Sequence, residues 1–117
     1  MAFRFEELKV WQIALRLSNE VDLMSKTFPK ADMFSLASQA KRAADSVVLN
    51  IAEGSTGQSV PEFKRFLSIA LRSAIEVVSC LFIARSREYI PNEVFQNLYK
   101  EHESLCKMIT TLKKSLA

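Results

Sequence analysis

The stretch with the most suggestive chemistry is the polar segment 54–59, which holds Gly54 and Gly57, the only glycines of the chain. A phosphate-binding P-loop needs four residues between its glycines, followed by a lysine and a hydroxyl residue, and this segment meets neither condition. Gly54 suits the left-handed position that follows a helix. Ser59 and Glu62 have the spacing of a capping box that starts the next helix. The segment is therefore predicted to be a joint, fixed by Gly54, Ser59 and Glu62.

Few other groups could carry out acid–base, nucleophilic or metal chemistry. His102 is the only histidine and falls on an apolar helical stripe, where a core or interface role is expected. Di-iron bundles need Glu-x-x-His on two helices; position 99 is Tyr99 and no second histidine exists, which excludes that site. Cys80 and Cys106 lie far apart in apolar stripes, as expected of reduced core thiols. We predict no catalytic residue, metal, cofactor or small-molecule substrate, and no enzymatic activity.

Asn50 is the most unusual polar residue, because it interrupts an apolar stripe just before the joint. A buried amide must be hydrogen-bonded or it costs a few kcal/mol. Ser46, one helical turn earlier, and the backbone of the joint are the candidate partners. We predict that Asn50 fixes the loop and selects the helix register.

The elements that position these residues are four amphipathic helices. Apolar residues recur at alternating intervals of three and four through each of them, which is the pattern of a bundle seam. Proline breaks the pattern at Pro29 and Pro91, and Asp32 is the expected N-cap of the second helix. The predicted helices run from about Phe5 to Thr27, from Asp32 to the joint, from about Pro61 to Glu88 and from about Asn92 to Leu116. The expected fold is one all-α domain over residues 1–117, an antiparallel up-and-down four-helix bundle.

The third helix is apolar on nearly every side, although each helix of a monomeric bundle should face water on one side. The excess apolar surface predicts a homo-oligomer interface. Arg72 and Glu76 lie one turn apart on this surface and could pair with each other or with a neighbouring subunit; their apolar neighbours favour the second. The predicted interface residues are Ile69, Arg72, Ile75, Glu76, Phe82 and Ile83.

The charge distribution is mildly basic, with a net charge of +3 and a pI near 9.0. Seven lysines and arginines lie between residues 41 and 87 against four acidic residues, and a symmetric oligomer would multiply this field for phosphates. The predicted contacts to a nucleic-acid backbone are Lys41, Arg42, Lys64 and Arg65. Base stacking and sequence readout are not expected, because most phenylalanines fall on the seams. The alternative is an adaptor whose partner is another protein and whose basicity has no role.

The start of the chain carries Arg4, Glu6, Glu7 and Lys9, which does not fit a signal peptide. No run approaches the roughly 18 uninterrupted apolar residues of a membrane span. A cytoplasmic protein without a membrane partner is expected.

Four stretches together resemble a known family: FEELKVWQIALRL, FSLASQAKRAADSVVLNIAEGS, EFKRFLSIALRSAIEV and REYIP. They are similar to the four-helix-bundle proteins encoded in intervening sequences of bacterial 23S ribosomal RNA genes, and the segment 50–54 (NIAEG) is the most specific motif. That family is in turn similar to the accessory proteins of diversity-generating retroelements. The resemblance implies a homopentamer with a basic surface that binds nucleic acid, and no enzymatic activity. This chain departs from the family in two ways. It has Thr56-Gly57-Gln58 where the family commonly has basic residues, and Arg72 and Glu88 where family members often have glycine.

Overall fold

The computed structural model describes residues 2–117, and within this range the chain forms four α-helices and no strand. The molecule measures 44 by 22 by 22 Å. The all-helical fold with four helices is thus confirmed. The helices are α1 (Lys9–Ser25), α2 (Ser38–Gly54), α3 (Val60–Ser86) and α4 (Asn92–Ser115).

The first helix begins later than predicted. Arg4–Glu7 forms a 3₁₀ turn, and Leu8 takes an extended conformation before α1 starts at Lys9. The turn folds back on α1, since the ring of Phe5 lies 4.7 Å from that of Trp11. The predicted start at Phe5 is wrong because this aromatic contact favours a tight turn over continued helix.

Asp32 occupies the predicted N-cap position, but of a π-helical turn that leads into α2, and its side chain makes no capping hydrogen bond. Lys30–Asp32 is a 3₁₀ turn and Met33–Ala37 a π-helical turn, so α2 itself begins at Ser38. The Asp32 carboxylate instead accepts hydrogen bonds from Ser35 Oγ at 2.8 Å, from Arg87 Nη1 at 3.1 Å and from the Tyr89 hydroxyl. The bond from Tyr89 is the main cause that lowers the Asp32 pKa. This cluster ties the α1–α2 connection to the α3–α4 corner.

The buried side chains form two clusters, one toward each end of the molecule. Leu98 belongs to the cluster near the α3–α4 corner and Leu105 to the cluster near the α2–α3 joint. His102 lies between them on α4. Its Nδ1–H donates to the Leu98 carbonyl oxygen at 2.7 Å, and burial of the ring lowers its pKa. His102 is therefore a neutral, hydrogen-bonded core residue.

Helix α3 runs through both clusters, and Leu67, Ala70, Ala74, Val77 and Leu81 on it are fully buried. By length and composition alone α3 could also cross a membrane, but the core helix of a soluble protein passes the same test, so this is weak evidence.

Each pair of neighbouring helices is joined by polar contacts. These are Ser18–Asp45 and Asp22–Lys41 between α1 and α2, Ser46–Ser73 and Gln39–Glu76 between α2 and α3, Arg85–Asn92 between α3 and α4, and Arg16–Glu101 between α1 and α4.

Candidate interaction face on helices α2 and α3

The joint between α2 and α3 depends on Gly54, but not through a left-handed backbone. Gly54 is the last residue of α2, and the positive φ of +86° belongs to Gly57. A Cβ atom on Gly54 would lie 2.7 Å from Phe66 Cβ and 2.9 Å from Phe63 Cδ1. The prediction of a left-handed Gly54 is therefore wrong. This glycine is needed because α3 approaches α2 too closely for any side chain.

The start of α3 is capped by Ser59, as predicted. Its Oγ accepts a hydrogen bond from the Glu62 backbone N–H at 3.2 Å. The returning half of the predicted capping box is absent from the described residues, because the Glu62 carboxylate accepts from Arg65 Nε at 2.8 Å instead. Glu62 therefore fixes Arg65 rather than the loop.

Asn50 secures the contact between the helices rather than the loop. Its amide donates to the Ser46 carbonyl oxygen at 2.8 Å and to Ser46 Oγ at 3.0 Å. Ser46 Oγ lies 2.9 Å from Ser73 Oγ on α3, within hydrogen-bond distance. The predicted partner Ser46 is confirmed, but a bond to the loop backbone is not found among residues 2–117. The chain of contacts Asn50–Ser46–Ser73 fixes the register between α2 and α3.

The four predicted phosphate contacts do not form one patch. Lys41 Nζ is 3.2 Å from Asp22 on α1, and Arg65 pairs with Glu62. Arg42 and Lys64 form no ion pair within residues 2–117.

These two cations are also well separated along the bundle. Gln39 and Ser46 contact Glu76 and Ser73, so Arg42 lies beside the segment 73–76 of α3. Lys64 is at least nine residues away along that helix, about 14 Å at 1.5 Å per residue. Of the four predicted contacts, the two that form no ion pair within the described chain therefore do not lie together.

The six predicted interface residues lie on the side of α3 that faces away from the core. Ile75, Phe82 and Ile83 are 57%, 46% and 37% exposed, which is unusual for large apolar side chains. Arg72 and Glu76 are exposed and do not pair with each other. Within residues 2–117 the contact of the Glu76 carboxylate is a hydrogen bond from Gln39 at 3.2 Å. Ile69 is partly buried.

Two residues of this face were not predicted. Phe34, on the π-helical turn before α2, is 96% exposed, and Leu49 on α2 is 64% exposed. Both residues are apolar but lie away from the apolar stripe of their segment. The same kind of position had predicted the interface residues of α3, so this pattern could have identified Phe34 and Leu49 too. Between α2 and α3 lies an open groove of about 490 Å³, and its lining includes Phe34, Arg42, Ser46, Ser73 and Glu76. We call this groove and the outward residues of α2 and α3 the α2–α3 face.

The sequence pattern of the 23S rRNA-intervening sequence proteins matches residues 6–111. The chain belongs to this family. The fold of this family member is also found in a crystal structure at 1.70 Å resolution of a protein with unknown function from the S23 ribosomal protein family of Bacteroides thetaiotaomicron VPI-5482. The two chains are 24% identical and superpose with a TM-score of 0.84 over 91% of this chain and 99% of that one. That likeness shows the fold alone. A comparison with curated proteins finds no match.

Proposed function

We propose that this family member is a non-catalytic protein that self-associates through its α2–α3 face and binds nucleic-acid phosphates through the basic surface of the assembly. In this proposal the helices run up and down, each antiparallel to its neighbours. The observation that carries the proposal is the α2–α3 face, where large apolar side chains are exposed beside charged residues that form no ion pair within residues 2–117. Resemblance to the accessory proteins of diversity-generating retroelements supports a homopentamer.

Self-association is supported by the size and composition of this face. Five of the eight large apolar side chains that are exposed among residues 2–117 belong to it, namely Phe34, Leu49, Ile75, Phe82 and Ile83. The broad side of the molecule measures 44 by 22 Å. An outline of this size is comparable to the roughly 800 Å² that each partner buries in an interface of standard size. The exposed apolar side chains of the α2–α3 face therefore support docking of a second copy.

Nucleic-acid binding is supported by charge. Arg42 on α2 and Lys64 on α3 form no ion pair within the described chain. Each cation that contacts a phosphate releases counterions, which gives affinity without sequence specificity. Separate cations on one copy become a repeated array in a symmetric assembly, so binding should require the oligomer.

An adaptor that binds another protein is the second candidate. Two of the predicted phosphate contacts, Lys41 and Arg65, are already paired with carboxylates, which reduces the positive charge available to nucleic acid. An apolar groove of about 400 Å³ between α1 and α4 offers another surface; Leu8, Val10, Met108 and Leu112 are among its lining residues.

Fluorescence anisotropy with labelled duplex DNA and labelled structured RNA, at several salt concentrations, distinguishes the two candidates. The proposal predicts that affinity falls steeply as salt rises, with a slope of about −0.9 in log–log form for each phosphate contacted on duplex DNA. The double variant Arg42→Gln, Lys64→Gln should bind more weakly and with a shallower slope. Lys100→Gln, which removes one exposed cation from α4, is the control and should change little. Absence of binding to either probe at low salt would favour the adaptor.

A further inference from the structure

Phe34 is the most exposed large apolar side chain of the described protein, with 96% of its surface accessible. It lies on the π-helical turn Met33–Ala37, at the mouth of the groove between α2 and α3. We propose that Phe34 is the anchor that docks one copy onto helix α3 of a second copy. This inference rests on the self-association in the proposed function and adds the residue that drives it.

The turn that carries Phe34 is held in place by the Asp32 cluster. Asp32, directly before the turn, accepts hydrogen bonds from Ser35 within it and from Arg87 and Tyr89 at the α3–α4 corner. The Tyr89 ring also packs against Phe28, with 5.3 Å between ring centroids. An anchor on a turn that is already ordered loses less conformational entropy on docking. The motif REYIP thereby has a role, because its arginine and tyrosine hold the turn that presents Phe34.

The receiving surface is the exposed apolar group on α3. The Phe82 ring is held in place by two rings of α4. It packs edge-on against Phe95 and Tyr99, with 4.9 Å and 6.0 Å between ring centroids. Ile75 and Ile83 are exposed on the same outward side of α3. Phe82 is on the α4 side of that surface, whereas Phe34 precedes α2. Because the anchor and the receiving surface lie at different positions on one copy, they can meet in a two-fold contact, in which Phe34 of each copy reaches α3 of the other, or head to tail, which generates a ring where the rotation closes. The homopentamer of the proposed function requires the head-to-tail form.

Charge complementarity favours a second copy over other occupants. The face carries Arg72 without an intrachain ion pair and, one turn away, Glu76, whose contact within the described chain is a hydrogen bond from Gln39. Such a mixed face can complement another copy of itself. The groove beside Phe34 is lined by both Arg42 and Glu76, so it has no excess of positive charge to hold the phosphates of a strand whose base stacks on Phe34. A nucleic acid is therefore the less suitable occupant of the groove.

The test compares Phe34→Ala with the control Leu23→Ala in the full chain. Leu23 is 64% exposed on α1, away from the α2–α3 face. Light scattering over a range of concentrations gives the mass of the assembly, and thermal unfolding followed by circular dichroism reports the fold. We expect Leu23→Ala to assemble as the unsubstituted protein does. Phe34→Ala should keep its helical spectrum but need about 30-fold or more higher concentration to assemble, as for the loss of a central aromatic hot spot.

The outcomes separate this inference from the proposed function. An unsubstituted protein that is monomeric at all concentrations overturns the self-association itself. An assembled protein with Phe34→Ala at its normal mass overturns only the anchor. If Phe34→Ala assembles normally but binds a labelled single-stranded oligonucleotide more weakly, Phe34 is a stacking surface and the anchor is again overturned.

Discussion

Replacing Gly54 with alanine introduces a methyl group at the point where α2 and α3 are closest. The new Cβ would lie 2.7 Å from Phe66 Cβ and 2.9 Å from Phe63 Cδ1. The Phe63 ring can rotate, but Phe66 Cβ is attached to the α3 backbone and moves only if that helix moves. Relief of the contact therefore requires the two helices to separate or shift.

The expected cost follows from two opposing terms. Overpacking of a close contact costs about 1–3 kcal/mol. Alanine is favoured over glycine by up to about 1 kcal/mol inside a helix, but Gly54 is the last residue of α2, where that gain is smaller. We expect Gly54→Ala to lower the free energy of unfolding by about 1–2 kcal/mol. For a chain of this length the Tm should fall by about 4–8 °C.

Thermal and denaturant unfolding at one fixed protein concentration measure this change, because assembly also contributes to apparent stability. Glu53→Ala, at the exposed neighbouring position, is the control and should stay within about 0.5 kcal/mol. Gly57 offers a second contrast. Its φ is +86°, and a Cβ atom added there would have no neighbouring atom within 4 Å. There asparagine should be tolerated better than alanine, whereas at Gly54 neither should be tolerated. A Gly54→Ala protein as stable as the unsubstituted one would refute the steric explanation.

Three further predictions concern other positions. Glu88 has a left-handed backbone (φ 61°) at the end of α3, so Glu88→Gly should raise the free energy of unfolding by about 1 kcal/mol in denaturant titrations; no gain would contradict this reading. Burial lowers the pKa of His102 below the ordinary 6.5, so the unfolded state takes up the proton first and stability should fall as pH drops below about 6.5, by at most about 1.4 kcal/mol per pH unit. Unfolding measured from pH 7.5 to 5 should show this component, and His102→Gln should lack it. Arg72→Glu or Glu76→Arg alone should weaken assembly in light scattering, and the double charge exchange should restore it; singles that assemble normally would exclude an intersubunit pair.

The sequence predicted the helices well where local pattern decides them. Three- and four-residue spacing placed both ends of α3 and α4 within two residues of the observed bounds. The starts of the first two helices were not predictable in this way. The turn before α2 is held by the bond from Tyr89 to Asp32, which joins residues 57 positions apart, and no local pattern reports such a contact.

The candidate site shows the same division between local and distant contacts. The Ser59 cap and the Asn50–Ser46 bond link residues within one turn, so they could be predicted from spacing. The pairing of Lys41 with Asp22 joins two helices, and the sequence alone could not show that this cation is already partnered. Gly54 was recognised as special, but its reason is contact with α3 rather than its own backbone angle.

The native mass of the unsubstituted protein, measured by light scattering after gel filtration over a range of concentrations, decides whether the α2–α3 face joins copies of this chain. We expect an assembly of several chains, with about five times the 13.3 kDa mass of one chain expected from the family resemblance. A mass of one chain at every concentration would contradict the assignment of the α2–α3 face as a self-association surface.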